Sequence, residues 1–443
     1  MQSTTAWLRK YDLPVPRYTS YPAAPHFTAD FGAEAFANEL GRIPARAPLS
    51  LYAHFPFCRS LCWYCGCNMK VARKPEAMMA YAMAMCREIE LTAACLPARQ
   101  KVDSIHFGGG TPTWGPREGR KAVTDAILNH FDLSPEAEFS VEADPRTLSA
   151  EIADELAELG VNRISIGVQD FDTPVQEAIN RIQPFAMVER GVADLRRAGI
   201  RDLNVDLIYG LPLQTPDTIT RTIEHAASLS PQRIALFGYA HVPWMKKHQK
   251  LVERSPLPNA EERLALFNAA QETLAKLGFV QIGLDHFAAP GDKMAIAAAD
   301  GTLNRNFQGY TTDNSPVLLG FGASAISALP SSYAQNDPSI EGYIDTVRRG
   351  RLPTVRGRRL TGDDVRRREI IMDLMCNARC AVSEDLAALA APALTPLVED
   401  GLCRWEDGQR LMMTEAGKPW VRVVAACFDA YHAPSATRHA RAV

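Results

Sequence analysis

The sequence predicts an α/β protein, with repeated βα units around a parallel sheet followed by a small, mostly helical module. Three observations carry that expectation. From residue 49 to 330 short apolar runs alternate with longer helical patterns, and Leu51–His54, Ser104–Phe107, Glu138–Glu142, Arg163–Val168, Asp202–Ile208 and Arg233–Phe237 read as strands. Glycine-rich and polar strings follow several of these runs, at the carboxyl ends of strands where such sheets gather functional groups. After residue 360 the rhythm stops.

The chain has 443 residues, 47% hydrophobic and 22% charged, enough for one large domain with an appendage. No apolar run approaches the ~18 residues of a membrane span, so no membrane partner is expected. A formal net charge of −3 gives no global attraction to nucleic acid, and any anion site must be local. Ten cysteines without a signal-peptide pattern point to a reducing, cytoplasmic compartment.

Residues 1–48 are rich in Pro, Tyr and Ala, with only Ala33–Leu40 reading as helix, and form an arm over the main body. The stretch Tyr52–Cys67, YAHFPFCRSLCWYCGC, then puts Cys58, Cys62, Cys65 and Cys67 into ten positions. Thiolates at C-x3-C-x2-C spacing can bend around one metal centre, and soft sulfur selects iron-sulfur clusters, zinc or copper(I). A disulfide pair, a zinc knuckle or buried packing cysteines are the alternatives. Zinc wants a second pair at its own short spacing, and Cys376 and Cys380, in the helical pattern MDLMCNARC, read as packing. A [4Fe-4S] cluster held by three cysteines leaves one iron open for chemistry.

Along the remaining units, Gly108–Thr113 (GGGTPT) follows a strand, and its glycines allow backbone amides to approach a ligand. Glu142, Gln169 and Asp206 stand at or near strand ends, where they can bind hydroxyls or a cation, or simply cap helices and pair internally. The histidines show no ligand spacing. Residues 331–360 read as a linker, and the nine arginines between Arg348 and Arg368 as a solvated stretch leading into a helix that starts near Thr361. Residues 384–400 read as a helical pair, Leu402–Trp405 and Arg410–Met413 as a hairpin, and 415–431 as a helix, with a basic, frayed tail from Pro434.

The cysteine spacing resembles the signature of radical S-adenosylmethionine enzymes. With Tyr52, His54, Pro56, Phe57 and Cys67 around it, the string resembles the oxygen-independent coproporphyrinogen III oxidases (dehydrogenases). The likeness runs over nearly the whole chain, through PRYTSYP (Pro16–Pro22), GGGTPT, VQDF, NVDLIYGLP, DHFA, NFQGYTT and RRREII. It implies a partial (β/α)6 TIM-like barrel over 49–330. It also implies an arm, 1–48, across the active-site opening, while the order helix, helix, hairpin, helix in 361–443 resembles a small winged-helix-like module, here a cover for the barrel rather than a DNA reader.

The resemblance further implies a [4Fe-4S] cluster on Cys58, Cys62 and Cys65. S-adenosylmethionine would be bound by Tyr52, Tyr64, Gly109, Gly110, Thr111, Glu142, Gln169, Arg181, Asp206, Ala240 and Ile326, with a second molecule beside the first. Tyr64 departs mildly, at a site of variable aromatic identity. Tyr52 and Cys67 take catalytic roles. The implied reaction cleaves S-adenosylmethionine to a 5′-deoxyadenosyl radical, which takes a β-hydrogen from each of two propionates of coproporphyrinogen III. Carbon dioxide leaves, and protoporphyrinogen IX forms for haem synthesis. A reduced electron donor such as flavodoxin or ferredoxin and a monomeric enzyme are expected. A haem-binding chaperone relative and a radical enzyme for another tetrapyrrole are the alternatives; PRYTSYP and Cys67 favour the oxidase.

Overall fold

The six apolar runs form strands because branched and aromatic side chains covered on both faces suit a parallel sheet. They are β1 (Leu49–Phe55), β2 (Lys101–Gly109), β3 (Asp132–Ala143), β4 (Arg163–Gln169), β5 (Asp202–Tyr209) and β6 (Arg233–Gly238). All six pair in parallel, in sequence order. Helices Pro75–Ala94, Arg117–His130, Ala150–Glu158, Phe185–Arg197 and Pro216–Ser228 make the crossovers, and Ala260–Lys276 follows β6. This computed structural model describes residues 4–432, so the tail from Pro434 lies outside the described residues.

Further strands extend the sheet on both sides. Beyond β6 come β7 (Val280–Ile282) and β8 (His286–Ala288), both antiparallel; beyond β1, β9 (Val317–Phe321) is parallel. The antiparallel β10 (Ile326–Leu329), β11 (Ser332–Asn336) and β12 (Thr354–Arg359) continue outward. The order is β12-β11-β10-β9-β1-β2-β3-β4-β5-β6-β8-β7, and its two edges are not joined, so the six βα units form a barrel left open. Leu51, Phe107, Val141, Ile166, Val205 and Leu236, one from each of the first six strands, share one apolar core.

Residues 331–360 are not a linker. They supply β11, helix Ile340–Arg348 and the edge strand β12. Charge hides the strand: Arg356, Arg358 and Arg359 sit on an edge, where one face can stay wet, while Thr354 and Gly357 are buried. Polar β11 is buried throughout, and its longer polar side chains find partners, as where Asn336 Nδ2 donates to Glu88 Oε1 at 2.6 Å.

The arm differs from expectation as well. It begins with a helix, Thr4–Tyr11, and Leu8, Tyr11, Val15, Tyr18 and Tyr21 are buried in one cluster with Trp420, Val424 and Phe428 of the C-terminal module. Tyr18 Oη donates to Asp429 Oδ2 at 3.0 Å, and Tyr21 Oη accepts from the Ala430 amide at 3.0 Å. Both tyrosine hydroxyls are thus engaged within the protein, whereas Arg17 of the same PRYTSYP string stays exposed, its Nη2 donating to Gly238 O at 3.1 Å. Farther on, Thr28 and Gly357 exchange backbone hydrogen bonds of 2.8 and 3.0 Å, capping the β12 edge.

In the C-terminal module, Thr361 caps helix Gly362–Asn377, and a strand, Arg379–Ala381, joins the hairpin Cys403–Glu406 and Arg410–Met413 as a third member. Cys380 therefore lies in a strand rather than the helix of Cys376; both are buried in apolar clusters. The expected helical pair is one helix, Glu384–Glu399, despite Pro392 and Pro396 within it. Leu386, Ala390, Leu394 and Leu397 bury a single face, and that packing outweighs the bonds the prolines remove. The last helix is short, Val421–Ala426, after a 3-10 turn at Lys418–Trp420. At Gly417 a side chain would run into the Leu402 backbone, which fixes the turn there.

Because Tyr21 is fully buried between arm and module, Tyr21→Ala should cost roughly 3–5 kcal/mol, the range for deleting a buried aromatic. Denaturant unfolding followed by tryptophan fluorescence checks this; a loss below about 1 kcal/mol would place the arm outside the cooperative unit.

Candidate active site

The cysteine loop leaves the end of β1 and has almost no ladder of its own, so its backbone is held from outside. Only Phe57–Cys58 pairs, in parallel, with Lys70–Val71. On one side the Trp63 amide donates to Ile179 O at 3.0 Å, and Asn180 Nδ2 donates to Leu61 O at 2.8 Å. On the other side a segment past β6 reaches back. Gln249 Nε2 donates to Tyr64 O, His248 Nε2 meets Cys65 O and Lys246 Nζ donates to Cys67 O, each at 2.8 Å. From beneath, the Gly110 and Thr111 amides donate to Phe55 O (2.8 Å) and Phe57 O (2.9 Å).

Positive groups surround the thiols. Arg146 Nη2 and Arg181 Nη1 lie 3.3 and 3.2 Å from Cys62 Sγ, and Thr111 Oγ1 donates to Cys58 Sγ at 3.4 Å. Asp144 binds both arginines, at 2.6 Å to Arg146 and 3.1 Å to Arg181. Burial pushes the Asp144 carboxyl up, but Arg181 and then Arg146 outweigh it and hold it below the usual range. Burial also pushes the Cys58 thiol up to about 12. Cys65 falls to about 7, mainly through its hydrogen bond with Cys67, and the same bond raises Cys67. Arg181 is thus a buried group with bonds to Cys62, Asp144, Gln183 and Gly167 O, not a surface arginine.

The donor set fits an iron-sulfur cluster. Two guanidinium groups at one sulfur suit a thiolate, and a metal would hold Cys58 ionised where burial alone favours the thiol. Among the described residues the thiols do not close on one ion-sized point. A polynuclear centre, bound one thiolate to each iron, asks for that wider spacing.

The strand ends beside the loop carry a connected polar row. Tyr52, His106 and Ser140 are register neighbours across β1, β2 and β3. Tyr52 stacks on His106 at 5.8 Å and its Oη meets His54 Nδ1 at 3.0 Å. His106 bonds Ser140 Oγ at 2.6 Å and Glu142 Oε1 at 3.2 Å, while Glu142 Oε2 accepts from the Gly109 amide at 2.9 Å. Burial alone would raise the Glu142 carboxyl; the His106 bond and charge, with the Gly109 amide, bring it below the usual range. Gly109, at φ 110°, has His54 where a side chain would be. Gly110 would place one 2.8–2.9 Å from the backbone of Phe55–Phe57. These glycines therefore serve close packing against the cysteine loop as well as open backbone.

The other expected residues fall into the same region. Gln169 ends β4 with φ 70°, a left-handed conformation rare for a residue with a side chain and common at functional strand ends. Asp206 is raised to about 6 by burial, partly offset by the Ser165 hydroxyl at 2.9 Å and by Asn204 at 2.7 Å. Ala240 follows β6, and its carbonyl accepts from Gln249 at 3.3 Å. Ile326 starts β10, its backbone packed against Gly320, the β9 neighbour of Tyr52. Sequence reasoning missed Asp144, Arg146, His106, Lys246, His248 and Gln249. Asp144 and Arg146 follow Glu142 beyond a strand end and were open to the same positional rule; the segment 246–249 carries no pattern that points to the loop.

An open parallel βα barrel whose first strand feeds a C-x3-C-x2-C loop defines a radical S-adenosylmethionine protein, and residues 52–226 match the model of the Radical SAM superfamily. Over 438 residues, 97% of each chain, the protein is 46% identical to the oxygen-independent coproporphyrinogen III oxidase of Bradyrhizobium diazoefficiens. It is 42% identical over 449 residues to that of Paracoccus denitrificans, covering 100% of this chain and 99% of the relative. The solved structure of Escherichia coli coproporphyrinogen III oxidase, a radical SAM enzyme, superposes with a TM-score of 0.89 at 36% identity, over 95% of this chain and 100% of the other. The chain belongs to the family of oxygen-independent coproporphyrinogen III oxidases.

Two substitutions test this geometry. Arg181→Ala removes one partner of a buried ion pair and should cost roughly 3–5 kcal/mol or lower bound iron, since Asp144 and Cys62 lose a counter-charge. Unchanged melting and iron content would show that Arg146 alone compensates. Gly110→Ala should destabilise by ~1–3 kcal/mol and loosen the cysteine loop, because the new methyl meets backbone that cannot rotate away. Differential scanning calorimetry and iron analysis read both effects.

Proposed function

We infer that the protein converts coproporphyrinogen III to protoporphyrinogen IX without oxygen, turning two propionates into vinyl groups in haem synthesis. Each step removes carbon dioxide, one β-hydrogen atom and one electron from the substrate. The observation that carries this reading is a likeness to enzymes of that name extending through arm, barrel and C-terminal module alike.

A [4Fe-4S] cluster with S-adenosylmethionine, when bound, supplies hydrogen-atom abstraction from an unactivated carbon, which side chains cannot do. In our reading Cys58, Cys62 and Cys65 hold the cluster, and Arg146 and Arg181 offset the thiolate charge at Cys62. Gly109, Gly110 and Thr111 line the approach for S-adenosylmethionine. Glu142, kept ionised by His106, and Asp206 accept hydrogen bonds from its hydroxyl or amino groups, and Gln169, Ala240, Ile326 and Tyr64 complete the walls. Tyr52, half-buried beside Glu142 with its phenol held well above the usual range by loss of solvent and then by the Glu142 charge, stays protonated and can donate. Cys67, exposed at the loop's end, is left for a role at substrate. Arg181 stood among the residues expected to bind S-adenosylmethionine. Its bonds to Cys62 and Asp144 favour a task at the cluster loop, and a second S-adenosylmethionine is retained as part of the reading.

A reduced flavodoxin or ferredoxin as donor, a monomeric state and a cytoplasmic location complete the proposal. No helix among the described residues is long and apolar enough to cross a membrane.

Anaerobic incubation of the reconstituted protein with coproporphyrinogen III, S-adenosylmethionine and a reductant should yield protoporphyrinogen IX. Absence of vinyl product, with cluster and S-adenosylmethionine bound, would overturn the reading. Cys58→Ser, Cys62→Ser and Cys65→Ser should each lose the brown absorbance and bound iron. Cys67→Ser should keep its iron and lose turnover; iron loss equal to the other three would make Cys67 a ligand.

A further inference from the structure

At the carboxyl ends of β5 and β6 lies a cavity of about 800 Å³, near the upper end of the range for ligand pockets. Its wall continues into the cysteine loop: Ala240 lines it, and Gln249 bonds both Ala240 O and Tyr64 O. Five cationic side chains face it from four parts of the chain. Arg17 comes from the arm, Arg263 from helix Ala260–Lys276, Arg305 from the segment before β9, and Lys418 and Arg422 from the C-terminal module. Among the described residues only two carboxylates, Asp12 and Asp285, line it with them.

Two of these arginines are arranged for an anion. Among the described residues neither Arg263 nor Arg305 has a carboxylate within ion-pairing distance. Arg305 Nε and Nη1 are buried with no hydrogen-bond partner, while the guanidinium is seated 4.3 Å from the Tyr310 ring centre. Buried donors of a charged group are costly to leave unmade, so the arrangement is complete only with an acceptor present. Arg263 lies over the Tyr209 ring at 5.6 Å, its Nη1 donating to Tyr239 O at 3.1 Å. Its head occupies the space where a side chain at Gly210, at φ 83°, would stand, and with the Tyr209 phenol it closes on Gly238. Charge crowding is visible in neighbours. Arg422 is lowered to about 10 by burial and then by Arg17, and Asp285, despite burial, is held at about 2 by His286 and then by Arg305 and Arg17.

We propose that this cavity binds the substrate's carboxylates, with Arg263 and Arg305 gripping propionates of the tetrapyrrole that are not reacting at the cluster. The proposal rests on the functional reading above and adds the substrate-binding residues. Guanidinium forks suit carboxylates in paired geometry, and the excess positive charge matches a ligand that carries several of them. The aromatic rings under the two arginines, Tyr209 and Tyr310, keep the guanidinium planes fixed.

The test uses the reconstituted holoenzyme under anaerobic conditions and two probes, coproporphyrin III and its tetramethyl ester. Arg263→Gln and Arg305→Gln should each weaken coproporphyrin III binding, and raise KM for coproporphyrinogen III, by about tenfold or more, the worth of one charged hydrogen bond. Cluster absorbance and S-adenosylmethionine affinity should stay at the wild-type level, and Arg305→Lys should recover part of the binding. In the wild type the ester should bind far more weakly than the acid, and added salt should weaken only the acid. Should a variant fail to fold, the ester and salt arms decide the question on the wild type. Variants that bind and turn over like the wild type, or an ester that binds as well as the acid, would overturn the proposal. An active wild type with unaltered variants refutes the carboxylate site alone; an inactive wild type whose coproporphyrin binding needs free carboxylates refutes the reaction and leaves the site.

Discussion

Sulfur ligands for a metal centre must stand at fixed points, yet Cys58, Cys62 and Cys65, which we propose as such ligands, sit on a loop with only a two-residue strand pairing of its own. The rest of the structure answers that constraint. Strand β1 delivers the loop, the GGGT turn after β2 clamps its base through two amide bonds, and the turns after β4 and β6 hold its far side. A parallel βα sheet suits the task, because all its strand-end turns emerge on one rim and can converge on one segment. Gly109 and Gly110 are then required by the narrowness of the gap between turn and loop, where a methyl group has no room.

Charge is organised around the same loop. A thiolate in a buried place needs positive partners, and Arg146 and Arg181 meet Cys62 while sharing Asp144 between them. The ion pair keeps both guanidiniums oriented, so their burial cost is offset before any metal arrives. One strand pair away, His106 and the Gly109 amide do the reverse for Glu142, stabilising an anion at a rim that otherwise disfavours it. The rim thus carries separated positive and negative stations, the arrangement required to orient a ligand that is itself charged at several points.

The arm and the C-terminal module close the structure as a pair. Tyr18 and Tyr21 join the module's apolar cluster, Thr28 pairs with β12, and Arg17, Lys418 and Arg422 end on the wall of the cavity beside β6. The cavity therefore exists only when arm, barrel and module are together, which ties the integrity of the fold to the enclosure of the site.

The sequence by itself determined the six barrel strands, the cysteine loop and the strand-end positions of Gly109, Glu142 and Gln169, whereas Asp206 lies inside β5. These follow from local periodicity and from a rule that acts within one βα unit. Tertiary structure alone decided the rest. Strand β12 is masked by its arginines because an edge strand keeps a wet face, and helix Glu384–Glu399 survives two prolines because its buried stripe outweighs them. Arg181 became a partner of Cys62, and Lys246, His248 and Gln249 became clasps of the loop, through contacts spanning 119 to 185 residues. Such contacts leave no periodic trace, since one hydrogen bond asks only that a donor arrive at the right point, and the path of the whole chain decides which donor does.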